Sequence, residues 1–266
     1  MKLGIMQGRL VPSEKKNSIQ YFPEKQWKKE INLMIKNDIK ILEWTINIEN
    51  IRKNHLFNEK LNKELIQFVC NKNIQIPSVT CDFFMQKPFF KEKKFRKTLE
   101  DLKKVIKLSQ NIGVKFIILP LVDFSSIENS YQEEILIVEM KKISKHLKPK
   151  QKILFEIDYP PNKVLKFLKK LDHKFGINYD TGNSASLGYD FEEEKKYFKY
   201  VRNIHLKDRL FRGSTVRLGN GDYEFKKFFT FLKKIKYKNN LILQTARGLN
   251  DLSEIKVNKN FVENYL

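Results

Sequence analysis

Short runs rich in Ile, Val, Leu and Phe recur along the chain with starts 22 to 40 residues apart, and a longer segment with helical spacing follows each of them. The runs are Lys2–Met6, Lys40–Thr45, Gln75–Cys81, Lys115–Leu119, Lys152–Asp158, Lys174–Asp180, Val201–Leu206 and Asn240–Thr245. Parallel strands joined by helices must bury both faces of their sheet, so runs apolar on both faces are the expected signature. Eight βα units fill 266 residues with almost nothing left over, which points to an α/β fold of the (β/α)8 TIM barrel class. An open doubly wound sheet would require one unit to be misread. No linker, low-complexity tract or composition shift divides the chain, so residues 1–266 read as one domain.

The helical segments each show one apolar stripe. Between Lys91 and Asn111, the residues Phe95, Leu99, Leu102, Val105, Ile106 and Leu108 fall three or four apart, and Gly113 follows as a stop. Pro23 precedes a helix with Trp27, Ile31, Met34 and Ile35 on one face, and Pro160 and Pro161 open a short one. Asp222–Ile235 carries Phe225, Phe228, Phe229 and Leu232. The two long excursions, Pro12–Gln26 and Arg209–Asp222, both come after strand ends.

Charge is the feature most open to misreading. The 52 Lys+Arg against 31 Asp+Glu give a formal charge of +21, which suggests a polyanionic partner. The cations are 44 Lys and only 8 Arg, alongside 23 Asn and 27 Ile, a bias that A/T-rich codons produce without selection on function. Arginine is the residue that forks onto phosphate and guanine, and lysines such as Lys103, Lys104 and Lys107 sit where a solvated helix face is expected. The composition therefore argues against a nucleic-acid partner. Cys70 and Cys81 make neither a disulfide framework nor a zinc motif. Met1–Met6 is too short for a signal-peptide core, and no stretch reaches the roughly 20 apolar residues of a membrane span. The expectation is a soluble cytoplasmic protein; assembly into an oligomer is compatible with the sequence.

In a TIM barrel the functional groups stand at the carboxyl ends of the strands. Those positions hold Gln7 and Arg9, Glu43, Cys81 and Asp82, Pro120 and Asp123, Glu156 and Asp158, Asp180 and Asn183, His205, Lys207 and Asp208, and Gln244 and Arg247. An ionisable side chain at a buried strand end costs free energy unless it is paired or metal-bound. Glu156 alone could pair with a rim lysine, Asp180 opens a turn-forming Asp-Thr-Gly-Asn stretch, and a lone strand histidine is more often a satisfied core residue than a ligand. Three such groups on successive strands favour a site. Two carboxylates and an imidazole form a mixed donor set for Mn²⁺, Mg²⁺, Co²⁺ or Zn²⁺. Such an ion can hold a sugar hydroxyl and carbonyl together while a carboxylate moves a proton through an enediolate, which is sugar isomerisation or epimerisation.

The order Phe155-Glu156-Ile157, Asp180-Thr181-Gly182-Asn183, His205-Leu206-Lys207-Asp208 and Leu218-Gly219-Asn220-Gly221-Asp222 resembles the xylose-isomerase-like barrel superfamily. Gly4–Leu10 and Ile41–Trp44 extend the resemblance over nearly the whole chain. It implies an isomerase or epimerase of sugars or sugar phosphates, with metal ligands at Glu156, Asp180 and His205. Where the family has a fourth ligand, a glutamate that is also one of two catalytic bases, this chain has Gln244. An amide oxygen still coordinates a hard cation but brings no charge and takes no proton. Two-base epimerisation would then need another carboxylate, for which strand position offers Asp158, Asp208 and Glu43; one-base isomerisation through Glu156 and a lyase or dehydratase step are the other options. The expected catalytic residues are Glu156, Gln244 and Lys207, and the expected substrate contacts are Gln7, Arg9, Glu43, Asn183, Asp208, Arg217 and Arg247. Arg9, Lys207, Arg209, Arg212, Arg217 and Arg247 would suit an anionic sugar, and Gly219-Asn220-Gly221 could present backbone amides to an anion. Two alternatives compete. One is an apurinic-endonuclease-like phosphodiesterase, for which the chain is short of histidines; the other is a sugar-binding barrel that has lost its fourth ligand and its catalysis.

Overall fold

The computed structural model describes residues 1–13, 20–49, 51–248 and 250–266, so the expected excursion after the first strand lies partly outside the described residues. The eight runs form β1 (Lys2–Met6), β2 (Ile41–Ile46), β3 (Gln75–Cys81), β4 (Phe116–Leu121), β5 (Lys152–Ile157), β6 (Phe175–Asp180) and β7 (Val201–Leu206), then, past a small hairpin of β8 (Asp208–Arg209) and β9 (Thr215–Val216), β10 (Asn240–Leu243). The barrel strands close in the order β1-β10-β7-β6-β5-β4-β3-β2. All pairings in the barrel are parallel, and the last strand returns beside the first with Lys2 opposite Asn240 and Ile5 opposite Leu243. The chain is a (β/α)8 TIM barrel.

Alternation along each strand divides the interior into two regions. Outward residues such as Trp44, Val79, Phe155, Ile204 and Leu241 join one continuous core between the barrel and its helices. The inner face is mixed. Two small apolar clusters, Met6 with Ile41 and Ile242, and Phe116 with Ile118 and Leu154, share it with the buried polar side chains Glu43, Ser78, Thr80, Asn178, Asn203 and His205. Strands apolar on both faces were the expectation; both faces are buried, but part of the inner one is given to polar chemistry.

The helices bury one stripe each. Lys97–Asn111 turns Leu99, Leu102, Val105, Ile106 and Leu108 inward, each contributing roughly 1.5–3 kcal/mol. It does not extend back to Lys91 as its spacing suggests, because Glu92 is extended and Lys93–Phe95 forms a separate 3₁₀ turn. Trp27–Lys36 buries Trp27, Ile31 and Met34 but leaves Ile35 41% exposed, off the expected stripe. Phe225–Lys234 buries Phe225, Phe228, Phe229 and Leu232 as expected, and Pro161 occupies the first turn of Pro161–Leu168. Many of the lysines stand on helix surfaces, some in i,i+3 pairs such as Lys103–Glu100, Lys142–Glu139 and Lys195–Glu192, each worth a few tenths of a kcal/mol. No helix among the described residues is long and apolar enough to cross a membrane.

Candidate active site

Strand register brings the three ionisable strand-end residues together. Asp180, the last residue of β6, stands opposite His205 of β7, and Glu156 of β5 faces the same interior one strand further round. The three are buried, and one ligand atom from each lies within 4.8 Å of the other two. Among the described residues this is the only group of three or more His, Cys, Asp or Glu side chains so arranged.

His205 is fully buried and held from behind by a carboxylate. Its Nε2 lies 2.6 Å from Glu43 Oε1, and its Nδ1 lies 3.0 Å from Glu156 Oε2. Glu43 also accepts from Ser78 Oγ at 2.7 Å, Thr80 Oγ1 at 2.7 Å and Asn203 Nδ2 at 2.8 Å. Burial pushes the Glu43 carboxyl up, and the His205 charge and these hydrogen bonds outweigh it, holding it below the ordinary range. For His205, burial disfavours the charge, yet Glu43 and Glu156 outweigh it and raise the ring to about 10. Asn178 Nδ2 lies 2.9 Å from Glu156 Oε2 and 3.0 Å from His205 Nδ1, which leaves a donor ready for the neutral ring. A carboxylate on the far ring nitrogen is the usual way of orienting a histidine ligand.

Asp180 has two separate tasks. Its Oδ1 accepts from Asn183 N at 2.9 Å and caps the helix Thr181–Leu187, while Oδ2 accepts from Lys207 Nζ at 2.9 Å. Burial pushes this carboxyl up, but Lys207 and His205 hold it below the ordinary range. The same Lys207 Nζ donates to Gln244 Oε1 at 3.4 Å, so Gln244 reaches Asp180 through an ammonium. Gly182 makes room for that lysine: a Cβ there would lie 2.7 Å from Lys207 Cγ. With His205 neutral, Glu43, Glu156 and Asp180 against Lys207 leave two uncompensated negative charges, the complement of a divalent cation. Donor types and charge therefore fit a divalent metal at Glu156, Asp180 and His205, with Gln244 linked to Asp180 through Lys207.

A cavity of about 400 Å³ opens beside Glu156 and Gln244, while Asp180 and His205 lie behind its lining residues. Glu156, Asn183, Lys207, Arg209 and Gln244 line it, together with Asp82, a strand-end group given no role in the sequence reading, and with Gln20 and Thr80, which that reading had not selected. Other expected contacts are engaged elsewhere and are not among its lining residues. Glu43 stands behind His205, and Gln7 Oε1 accepts from Thr45 N at 3.1 Å. Arg9 is 1% exposed, and burial with the nearby Arg247 charge lowers its guanidinium to about 9. Arg247 donates to Asp251, Val11 O and Gly8 O, and Arg217 pairs with Glu254 at 2.7 Å. Exposed Arg212 stacks on Phe211, its guanidinium carbon 5.0 Å from the ring centre. Of the six cations expected at the mouth, Lys207 and Arg209 line this cavity.

The Gly219-Asn220-Gly221 amides do meet an anion, and it belongs to the chain itself. Gly219 N and Gly221 N each donate to Asp208 Oδ2 at 2.9 Å, and Tyr223 N donates to Oδ1 at 3.3 Å. Asp208 is thus a clamp for the Arg209–Asp222 excursion. A Cβ on Gly221 would lie 2.3 Å from Asp208 Oδ1. Gly221→Ala is expected to cost about 1–3 kcal/mol by forcing that clamp apart; an unchanged melting temperature would remove the clamp assignment.

Known proteins share this fold. The family model described as xylose isomerase-like TIM barrel matches residues 45–261. No curated protein sequence matches the chain. Among solved structures, the IOLI protein with a bound zinc atom superposes with a TM-score of 0.78 at 15% identity, covering 100% of this chain and 98% of that one. A xylose isomerase-like TIM barrel protein from Mycobacterium smegmatis in complex with magnesium gives 0.74 at 13%, covering 99% and 96%. D-Allulose 3-epimerase from Methylomonas sp. gives 0.73 at 13%, covering 100% and 98%.

Proposed function

The chain belongs to the xylose isomerase-like TIM barrel family, and from that premise we propose that it is a sugar isomerase or epimerase that moves a proton through an enediolate, with Glu156 as the principal base. The observation that carries this reading is the convergence of Glu156, Asp180 and His205 within 4.8 Å beside a cavity of about 400 Å³. Similar structures hold zinc and magnesium, and one is a 3-epimerase of a ketose, which supports both the metal and the substrate class.

A divalent ion held by Glu156, Asp180 and His205 would polarise a sugar carbonyl and the neighbouring hydroxyl. The chain supplies the rest. Glu156 presents a carboxylate steadied by Asn183 Nδ2 on Oε1 and Asn178 Nδ2 on Oε2, both at 2.9 Å, and it takes the proton from the carbon next to the carbonyl. Glu43 fixes the ring of His205. Lys207 offers an ammonium to the developing enediolate oxygen, where a fixed cation in a partly desolvated site stabilises charge as it appears. Arg209 already donates to Gly213 O through Nε and Nη2, so an unphosphorylated sugar suits this lining better than a sugar phosphate. The DNA-cleaving alternative needs further imidazoles at the site, and among the described histidines His205 alone joins the cluster.

Incubating the Mn²⁺-loaded protein with D-allulose, D-tagatose and L-ribulose tests the proposal. Formation of a C3 epimer or of the aldose supports it; no conversion of any of them contradicts it. The amide where the family has a fourth ligand gives a separate prediction. Gln244→Glu should tighten Mn²⁺ binding by roughly 10–100-fold, about 1.4–2.7 kcal/mol, by adding a charge next to the ion. Calorimetric titration of both proteins decides it, and equal affinities would show that Gln244 does not face the metal.

A further inference from the structure

Gln244 leaves a two-base reaction without its second carboxylate, and the candidates offered by strand position are all occupied. Glu43 is committed to His205, Ser78, Thr80 and Asn203. Asp208 is closed off by the amides of its own loop. Asp158 accepts from Ser126 Oγ and is not among the residues lining the cavity.

A different carboxylate stands in the cavity. Along β3 and just past it, Val79, Cys81 and Phe83 point outward into the core under the helices, while Ser78 and Thr80 point inward to Glu43. Asp82 keeps the inward phase, lines the cavity with Glu156, and is 6% exposed. It lies two strands round the barrel from Glu156, with Pro120 of β4, register partner of Glu156, lining the cavity between them. Gln20 lines the cavity beside Asp82, and its side-chain oxygen accepts from Gln244 Nε2 at 3.0 Å, so hydrogen bonds run from Gln20 through Gln244 and Lys207 to Asp180. Burial, followed by the charge of Glu156, raises Asp82 to about 7, against the opposing effects of Gln20 and the charge of Arg9. A carboxyl so placed can carry a proton at neutral pH.

We propose that Asp82 is the second proton-handling carboxylate of this site, serving the face of the reacting carbon opposite Glu156. This rests on the isomerase or epimerase reading given above. In one direction Glu156 takes the proton from the carbon, the C–H electrons form the carbon–carbon double bond, and the carbonyl becomes the enediolate oxygen. Asp82 then gives its proton to the other face as the carbonyl re-forms, leaving Glu156 protonated and Asp82 ionised. Exchange with water resets both groups, and the reverse direction uses them in exchanged roles.

The test uses the Mn²⁺-loaded full chain in D₂O with two C3 epimers, D-allulose and D-fructose, followed by proton NMR. In Asp82→Asn, interconversion should fall at least about 100-fold, while deuterium still enters C3 of one epimer within about threefold of the wild-type rate and no longer enters the other. The surviving exchange shows that the variant is folded and that Glu156 still works on its face. Unchanged interconversion would overturn the assignment, as would equal loss of exchange in both epimers, which marks a positioning residue. A wild-type protein inert toward both sugars and the rest of the panel removes the underlying reading and this inference with it.

Discussion

Glu156→Gln should lower proton exchange at the reacting carbon by roughly 10²–10⁴-fold, the range a positioned general base contributes. The substitution keeps the shape of the side chain and removes only its ability to take a proton. Oε1 accepts from Asn183 Nδ2, and Oε2 from Asn178 Nδ2 and the His205 ring. An amide NH₂ at the Oε1 position faces Asn183, whose own amide can turn to offer its oxygen, so the stability cost is on the order of 1 kcal/mol. The melting temperature should therefore move by only a few degrees while exchange collapses. Full exchange in a folded Glu156→Gln protein would show that the proton is taken elsewhere. One carboxylate fewer also weakens the donor set, so the assay is run with Mn²⁺ in excess.

Glu43→Ala should have the largest effect on stability. Glu43 is wholly buried, and four donors converge on it: Ser78 Oγ, Thr80 Oγ1, Asn203 Nδ2 and the His205 ring. Removing one partner of a buried charged pair typically costs about 3–5 kcal/mol, because the other groups are left unsatisfied without water to replace them. For a chain of this length that lowers the melting temperature by on the order of 10 °C. The protein that remains folded should bind Mn²⁺ about 10–100-fold more weakly, since the ring of His205 is no longer held. Glu43→Gln, which keeps a hydrogen-bonding oxygen, should lose much less stability. A Glu43→Ala protein with wild-type melting and metal affinity would mean that the buried network does not organise the site.

The barrel was legible because its signal is repetitive: each apolar run of β1 to β7 and β10 has a helical stripe after it, and an error of a residue or two at an end does not alter the count. Glu156, Asp180 and His205 were legible because charge at a buried strand end is conspicuous. Asn178, Asn203, Ser78 and Thr80 were not singled out, although each stands two residues before a noticed strand-end position or on the same inward phase. Period two would have found them; their neutrality hid them. The link from Gln244 to Asp180 through Lys207 depends on side-chain reach across neighbouring strands, which spacing along one chain does not encode. Arg217 was expected at the substrate and instead meets Glu254, because a loop cation pairs with whatever the fold brings near it. Asp82 was on the list of strand-end groups and was passed over, since nothing in Cys81-Asp82-Phe83 distinguishes a cavity wall from a helix start.

The measurement that tests the assignment most directly is proton NMR of D-allulose and of D-fructose in D₂O with the Mn²⁺-loaded wild-type protein and Glu156→Gln side by side. Loss of the C3 proton signal from both epimers with the wild type, and its persistence with the variant in the epimer whose C3 proton faces Glu156, is the expected result. Persistence of the signal with both proteins, for D-allulose, D-fructose and every other sugar of the panel, would contradict proton transfer at Glu156 as the work of this barrel.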